Sequence, residues 1–190
     1  MPALALALEN GFGIETDIRD HHGKLVISHD MPRGDEPTLR DLLKLHARSP
    51  KRPRLALNIK ADGLQQALKN DLQDFATENY FVFDMSIPDM LSYADASMLL
   101  YCRLSEYETE LPLLDSAVGV WLDAFHKEWM TPADINGLLA RGKRVCLVSS
   151  ELHGRDFRAC WSLAKALDRK GLEICTDHPF EAKEYFNGPG

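Results

Sequence analysis

Three side chains near the start of the sequence have the types and spacing for metal-assisted acid–base chemistry. They are Glu15, Asp17 and His29, within GIETDIRDHHGKLVISHD (13–30). Glu15 and Asp17 stand two apart in a β-prone run, so in a strand both side chains point the same way. Two carboxylates that close suit a hard divalent cation, Mg2+ or Ca2+. Without a cation they repel, and one is pushed toward its protonated form. His29 follows a polar turn, RDHHGK (19–24), whose Gly23 suits a tight reversal. Folded back over the acids, its imidazole can exchange a proton near neutral pH beside a bound phosphate. A solvated edge strand carrying alternating acids and a surface histidine has the same spacing. Residues 13–30 taken alone leave both readings open. His21 and His22 fall in the turn and are expected in solvent.

The elements that must position these groups alternate along the chain. GIETDIR (13–19) and KLVISH (24–29) read as a strand and a short partner strand. TLRDLLKLHAR (38–48) has helical spacing, with Thr38 as N-cap and His46 on a helix face. Near-continuous apolar runs then alternate with amphipathic helical segments, the pattern of parallel strands covered on both faces. Seven parallel strands are expected, starting at Gly13, Arg54, Tyr80, Ser97, Val118, Lys143 and Leu172. ELPLLDSA (110–117) reads as a short helical link and DFRACWSLAKALDRKG (156–171) as a helix. TPADINGLLARG (131–142) opens with Thr131, Pro132 and Asp134, a marked helix start. No Gly-rich phosphate loop follows the first strand, which disfavours a dinucleotide-binding sheet. Polar residues close the runs: Asp17, Lys60, Asp84, Arg103, Asp123, Ser149 and Asp177. In a (β/α)8 barrel those ends form the catalytic mouth. The expected fold is therefore α/β, a (β/α)8 TIM-type barrel in one domain over residues 1–190, with its first strand missing ahead of the opening helix.

Composition narrows the function classes. The chain has 190 residues, is 45% hydrophobic and carries a net charge of −7. That supports one well-buried domain and argues against the basic face that nucleic-acid binding needs. An anionic substrate would need a local positive centre, either a metal ion or placed lysines and arginines. Cys102, Cys146, Cys160 and Cys175 form no C-x-x-C pair and read as reduced, buried thiols of a cytoplasmic protein. The opening MPALALALENGFG lacks a basic leader, is too short to span a bilayer, and reads as a helix ending at Asn10-Gly11. No other run reaches transmembrane length.

Residues 7–30, ALENGFGIETDIRDHHGKLVISHD, resemble the glycerophosphodiester phosphodiesterase family of PI-PLC-like phosphodiesterases. The matching pieces are an E-x-D pair, Glu15 and Asp17, and a His-Asp dipeptide, His29-Asp30. LALNIK (55–60) is similar to the family's E-x-K element and ICTDHP (174–179) to its closing T-D-x-P element. The resemblance implies a (β/α)8 barrel that cleaves a small phosphodiester with a divalent cation. Glu15, Asp17 and Asn58 would hold Mg2+ or Ca2+, His29 would be an acid–base residue, and Lys60 would contact the phosphate. A fixed cation there stabilises charge that develops in the transition state.

The chain departs from the family pattern at two points. The family's first strand, ending in H-R-G with a second histidine, has no counterpart in the sequence given. It either lies upstream or is lost in a seven-stranded relative. The acid of E-x-K is Asn58, which offers a carbonyl oxygen but one charge fewer. These departures set a metal-dependent phosphodiesterase beside an alternative, a non-catalytic relative that binds a phosphorylated metabolite or headgroup. An open barrel edge would also favour self-association. Further along, Glu151 and His153 in SSELHGRD (149–156) could touch substrate or only shape a loop. Asp123 ends a strand beside Trp121, read as core, and Trp129.

Overall fold

The structure is a computed structural model that describes residues 1–167 and 170–188. The chain divides into two compact units, Met1–Leu100 and a second beginning at Tyr101.

The first unit opens with helix α1 (Pro2–Asn10), followed by strands β1 (Ile14–His21) and β2 (Lys24–Ile27). These strands pair antiparallel, with His21 opposite Lys24. The two residues between them, His22 and Gly23, have φ of 48° and 75°. Left-handed backbone at both positions is the hairpin turn whose twist matches its strands, and glycine adopts it without strain. Helix α2 (Leu39–Arg48) starts with a reciprocal cap. The Thr38 hydroxyl accepts the Asp41 N–H, and the Asp41 carboxylate accepts the Thr38 N–H at 3.2 Å. His46 lies on this helix but is buried, its Nε2 2.7 Å from Pro53 O. Strand β3 (Leu55–Ile59), helix α3 (Gln65–Asp74), strand β4 (Tyr80–Phe83) and helix α4 (Ile87–Asp95) complete the unit.

Its sheet runs β2-β1-β3-β4, with β1, β3 and β4 parallel. Ile14, Thr16 and Ile18 are neighbours of Leu55, Leu57 and Ile59, so the six share one face, and all are buried. The other face carries Glu15 and Asp17 beside Ala56 and Asn58, with Phe81 and Phe83 next in register. Period-two alternation thus puts apolar packing on one side of the sheet and chemistry on the other.

In the second unit, strands β5 (Tyr101–Leu104), β6 (Gly119–Leu122), β7 (Arg144–Val148) and β8 (Leu172–Cys175) form a fully parallel sheet in sequence order. Helices α5 (Pro132–Ala140), α6 (Arg158–Leu167) and α7 (Pro179–Asn187) connect or follow them. Val120, Leu122, Val145 and Leu147 pack with Ile135, Leu138 and Trp161 in the core. Thr131 and Asp134 form the second reciprocal cap, as their spacing predicts. Gly119 sits where two neighbours close in. A Cβ there would meet the Tyr101 ring at 2.5 Å and Arg144 O at 2.8 Å. Gly119→Ala is expected to lower unfolding stability by about 2 kcal/mol, read from urea denaturation, because both neighbours belong to rigid strands.

Three parallel strands in the first sheet and four in the second match the expected seven. The strands fall into two four-stranded sheets rather than one continuous sheet. Beyond β4 the pairing continues only as an isolated bridge, Val82 to Leu100, with Val82 N–H 2.8 Å from Leu99 O. The strand expected from Ser97 starts at Tyr101, because Ser97 is left-handed with φ 57°. Residues 110–117 are a turn rather than a helix. Their hydrogen bonds run mostly three residues back, as in Leu114 N–H to Leu111 O and Ser116 N–H to Leu113 O. Of the helix read over 156–171, residues 168 and 169 lie outside the described residues. Cys102, Cys146 and Cys160 are buried, and Cys175 is half-buried. No described helix is long and apolar enough to cross a membrane.

Candidate active site

The register of the first sheet builds a polar site on its face opposite the packed one. Asp17 lies directly beside Asn58, and Glu15 lies one pleat down on the same face. Phe81 and Phe83, both buried, occupy the neighbouring positions on β4 with their rings 5.7 Å apart. Burial, and next the charge of Asp17, raise the Glu15 carboxyl from 4.5 to about 7. A hydrogen bond with the Asn58 side chain and the charge of Lys60 act the other way. The oxygen of that same Asn58 amide, Oδ1, is buried and has no hydrogen-bond partner.

Lys60 follows β3 at its C-terminal end. Its Nζ is 2.9 Å from Asp84 Oδ2 and 3.5 Å from Asp17 Oδ1, with all three side chains largely buried. Asp84 follows β4 with φ 72°. Strict alternation would put Asp84 on the packed face with Val82, but the left-handed backbone breaks the alternation, and its carboxylate reaches Lys60. Aspartate is among the few non-glycine residues enriched in this conformation.

The sequence reading passed over Arg19. It lies two residues beyond Asp17 on the same face, and its guanidinium donates to Lys60 O at 2.9 Å and to His29 O at 3.1 Å. One side chain therefore ties the end of β3 to the stretch after β2. The signal was the i, i+2, i+4 series Glu15, Asp17, Arg19.

His29 is placed differently from the acids. Its ring is mostly in solvent, 76% exposed, and its Nδ1 is 3.1 Å from Asp30 Oδ1. Glu15, Asp17, Asn58 and Lys60 are brought together; the His29 backbone joins them through Arg19, and its imidazole faces outward.

The donor set fits a hard cation. Glu15, Asp17 and Asn58 offer two carboxylates and an amide oxygen, and the unpartnered Asn58 Oδ1 is an acceptor already stripped of water. Among the described residues no group of three His, Cys, Asp or Glu side chains is arranged to hold a metal ion. A third oxygen would have to come from the Asn58 amide.

The second unit has its own polar cluster at the strand ends. Buried Asp123 follows β6, and its Oδ1 accepts His153 Nε2–H at 2.7 Å, with the Phe125 ring 4.8 Å from the imidazole. Trp129 Nε1–H donates to Asp123 O at 2.8 Å. Glu151 accepts from the hydroxyls of Ser149 and Thr176 and from Asp177 N–H, which fixes the loop after β7 against the end of β8. Burial would raise the Glu106 carboxyl, but the N–H groups of His126 and Phe125 hold it down at about 2. Trp121 is buried, as read.

Several solved structures superpose on this chain. A protein from Galdieria sulphuraria assigned as a glycerophosphodiester phosphodiesterase superposes with a TM-score of 0.77 at 17% identity, over 96% of this chain and 89% of that one. A glycerophosphodiester phosphodiesterase from Parabacteroides distasonis gives 0.73 at 17% identity, over 97% and 88%. One from Agrobacterium tumefaciens gives 0.67 at 16%, over 91% and 88%. The chain has the glycerophosphodiester phosphodiesterase fold. Neither a family model nor a curated protein matches the sequence. At such low identity the likeness to the glycerophosphodiester phosphodiesterases is one of backbone.

Proposed function

We propose that the first unit carries a metal-dependent phosphodiester hydrolase site of the glycerophosphodiester phosphodiesterase type, acting on a small, polar phosphodiester. The observation that carries this is the register that puts Glu15, Asp17 and Asn58 on one face, with a buried, unpartnered Asn58 oxygen and with Lys60 at the rim. The name borne by the solved structures of the same fold supports it.

Glu15, Asp17 and Asn58 would hold Mg2+ or Ca2+. Such a cation, when bound, polarises a phosphoryl oxygen and offsets its charge. The chain's own groups do the rest. Lys60 brings a second positive charge to the phosphate of the bound diester, the local centre that an acidic protein needs. Asp30 engages His29 Nδ1, leaving Nε2 as the atom that exchanges a proton with the leaving oxygen or the attacking water. Arg19 keeps the backbone of His29 and that of Lys60 at a fixed separation through its two carbonyl bonds.

A second reading, binding of a phosphorylated metabolite or headgroup without hydrolysis, is favoured by one observation. The His29 imidazole lies in solvent beside Asp30 instead of over Glu15 and Asp17. One experiment separates the two: choline release from glycerophosphocholine with Mg2+ or Ca2+, run beside calorimetric binding of the same diester. Hydrolysis predicts metal-dependent release that drops about 100-fold or more in His29→Ala while binding persists. Binding without release selects the second reading, and absence of both defeats the two together.

A further inference from the structure

Lys60 has two anionic neighbours at unequal distances, Asp84 at 2.9 Å and Asp17 at 3.5 Å. Its ammonium is therefore in contact with one of the carboxylates assigned to the divalent cation. Two cations cannot share Asp17 without repulsion, so any divalent ion competes with the chain's own lysine. The outcome depends on what else can hold that lysine, and the backbone has been bent to supply it. Asp84 is left-handed, which turns a carboxylate onto the site face where alternation would have put it on the packed side. Strained backbone of this kind persists where the surroundings fix it, and it gathers at functional sites.

We infer that Lys60 is the resident cation of this carboxylate cluster, and that Asp84 is a positioning residue that holds it back and so leaves Asp17 open to a divalent ion. The inference rests on the proposed cation site and says what sets its affinity. The charge missing at Asn58 is not restored on β3. A carboxylate on the neighbouring strand instead holds the lysine, so the cation site keeps use of both its acids. Asp84 is needed for divalent binding without being a ligand.

The test is a double-mutant cycle on Mg2+ and Ca2+ affinity, measured by calorimetry on the full chain at fixed ionic strength after chelator treatment. Lys60→Met is expected to bind the ion about tenfold more tightly, and Asp84→Asn about tenfold more weakly. In the Lys60→Met background, Asp84→Asn is expected to change affinity by less than about threefold, since there is no lysine left to hold. Circular dichroism checks that each variant is folded, and Lys60→Gln takes the place of Lys60→Met if that chain does not fold. Equal loss from Asp84→Asn in both backgrounds, or an unchanged affinity in Lys60→Met, overturns the inference and leaves the cation site standing. Ion uptake by Lys60→Met but not by the parent chain supports it most directly. No uptake by any of the four proteins removes the cation site itself, and the inference with it.

Discussion

Metal-free protein carrying Glu15→Gln is expected to be more stable than the parent at pH 8, by roughly 3 kcal/mol, and to show little of that advantage at pH 4.5. The folded Glu15 carboxyl is raised from 4.5 to about 7 by burial first and by Asp17 second. The folded state therefore holds a proton that the unfolded chain has already released between those two values. The stability this contributes is fully present below about pH 4.5 and is lost as pH rises through about 7. Glutamine mimics the protonated acid and does not titrate, so the variant avoids the loss. Urea denaturation in chelator at the two pH values measures it. A gap of equal size at both would mean that Glu15 is solvated in the folded protein. Saturating Mg2+ should shrink the gap at pH 8, because an ion that binds only the folded parent stabilises it.

Asp17→Ala is expected to weaken Mg2+ and Ca2+ binding about 100-fold, a loss of about 3 kcal/mol. Asp17 is the acid directly beside Asn58, and it is also the one that Lys60 touches. Its removal takes away one carboxylate and leaves the lysine without a counter-charge on β1. Folding should survive, since the packed-side neighbours of Asp17, the buried Thr16 and Ile18, are unchanged. Calorimetry gives the affinity and thermal unfolding the control. A loss below threefold in a folded variant would take Asp17 out of any cation site.

Much of this site was legible in the sequence because it depends on rules of period two. Glu15 and Asp17 share a face in any strand, and LALNIK brings Asn58 beside them once β1 and β3 pair in parallel. The reciprocal caps at Thr38 and Thr131 were equally visible, being local chemistry. The parts that could not be read depend on departures from regular geometry. Asp84 was seen as a polar strand end, but its aim comes from a single left-handed residue, and aspartate tolerates that conformation without requiring it. The bridge at Leu100 and the late start of β5 follow from another such residue, Ser97. The helical reading of 110–117 failed because leucine-rich spacing over so few residues suits a pair of turns as well as a helix. His29 was placed in sequence, but the side on which its imidazole lies, in solvent beside Asp30, has no signature in residue spacing.

The guanidinium of Arg19 reaches two carbonyls that belong to different connections of the chain. Like a two-tined fork, it makes the proton-carrying segment and the charge-carrying segment ride on one lever rooted in β1. Arg19→Ala is therefore expected to loosen both backbones together, read as faster amide hydrogen exchange in both segments.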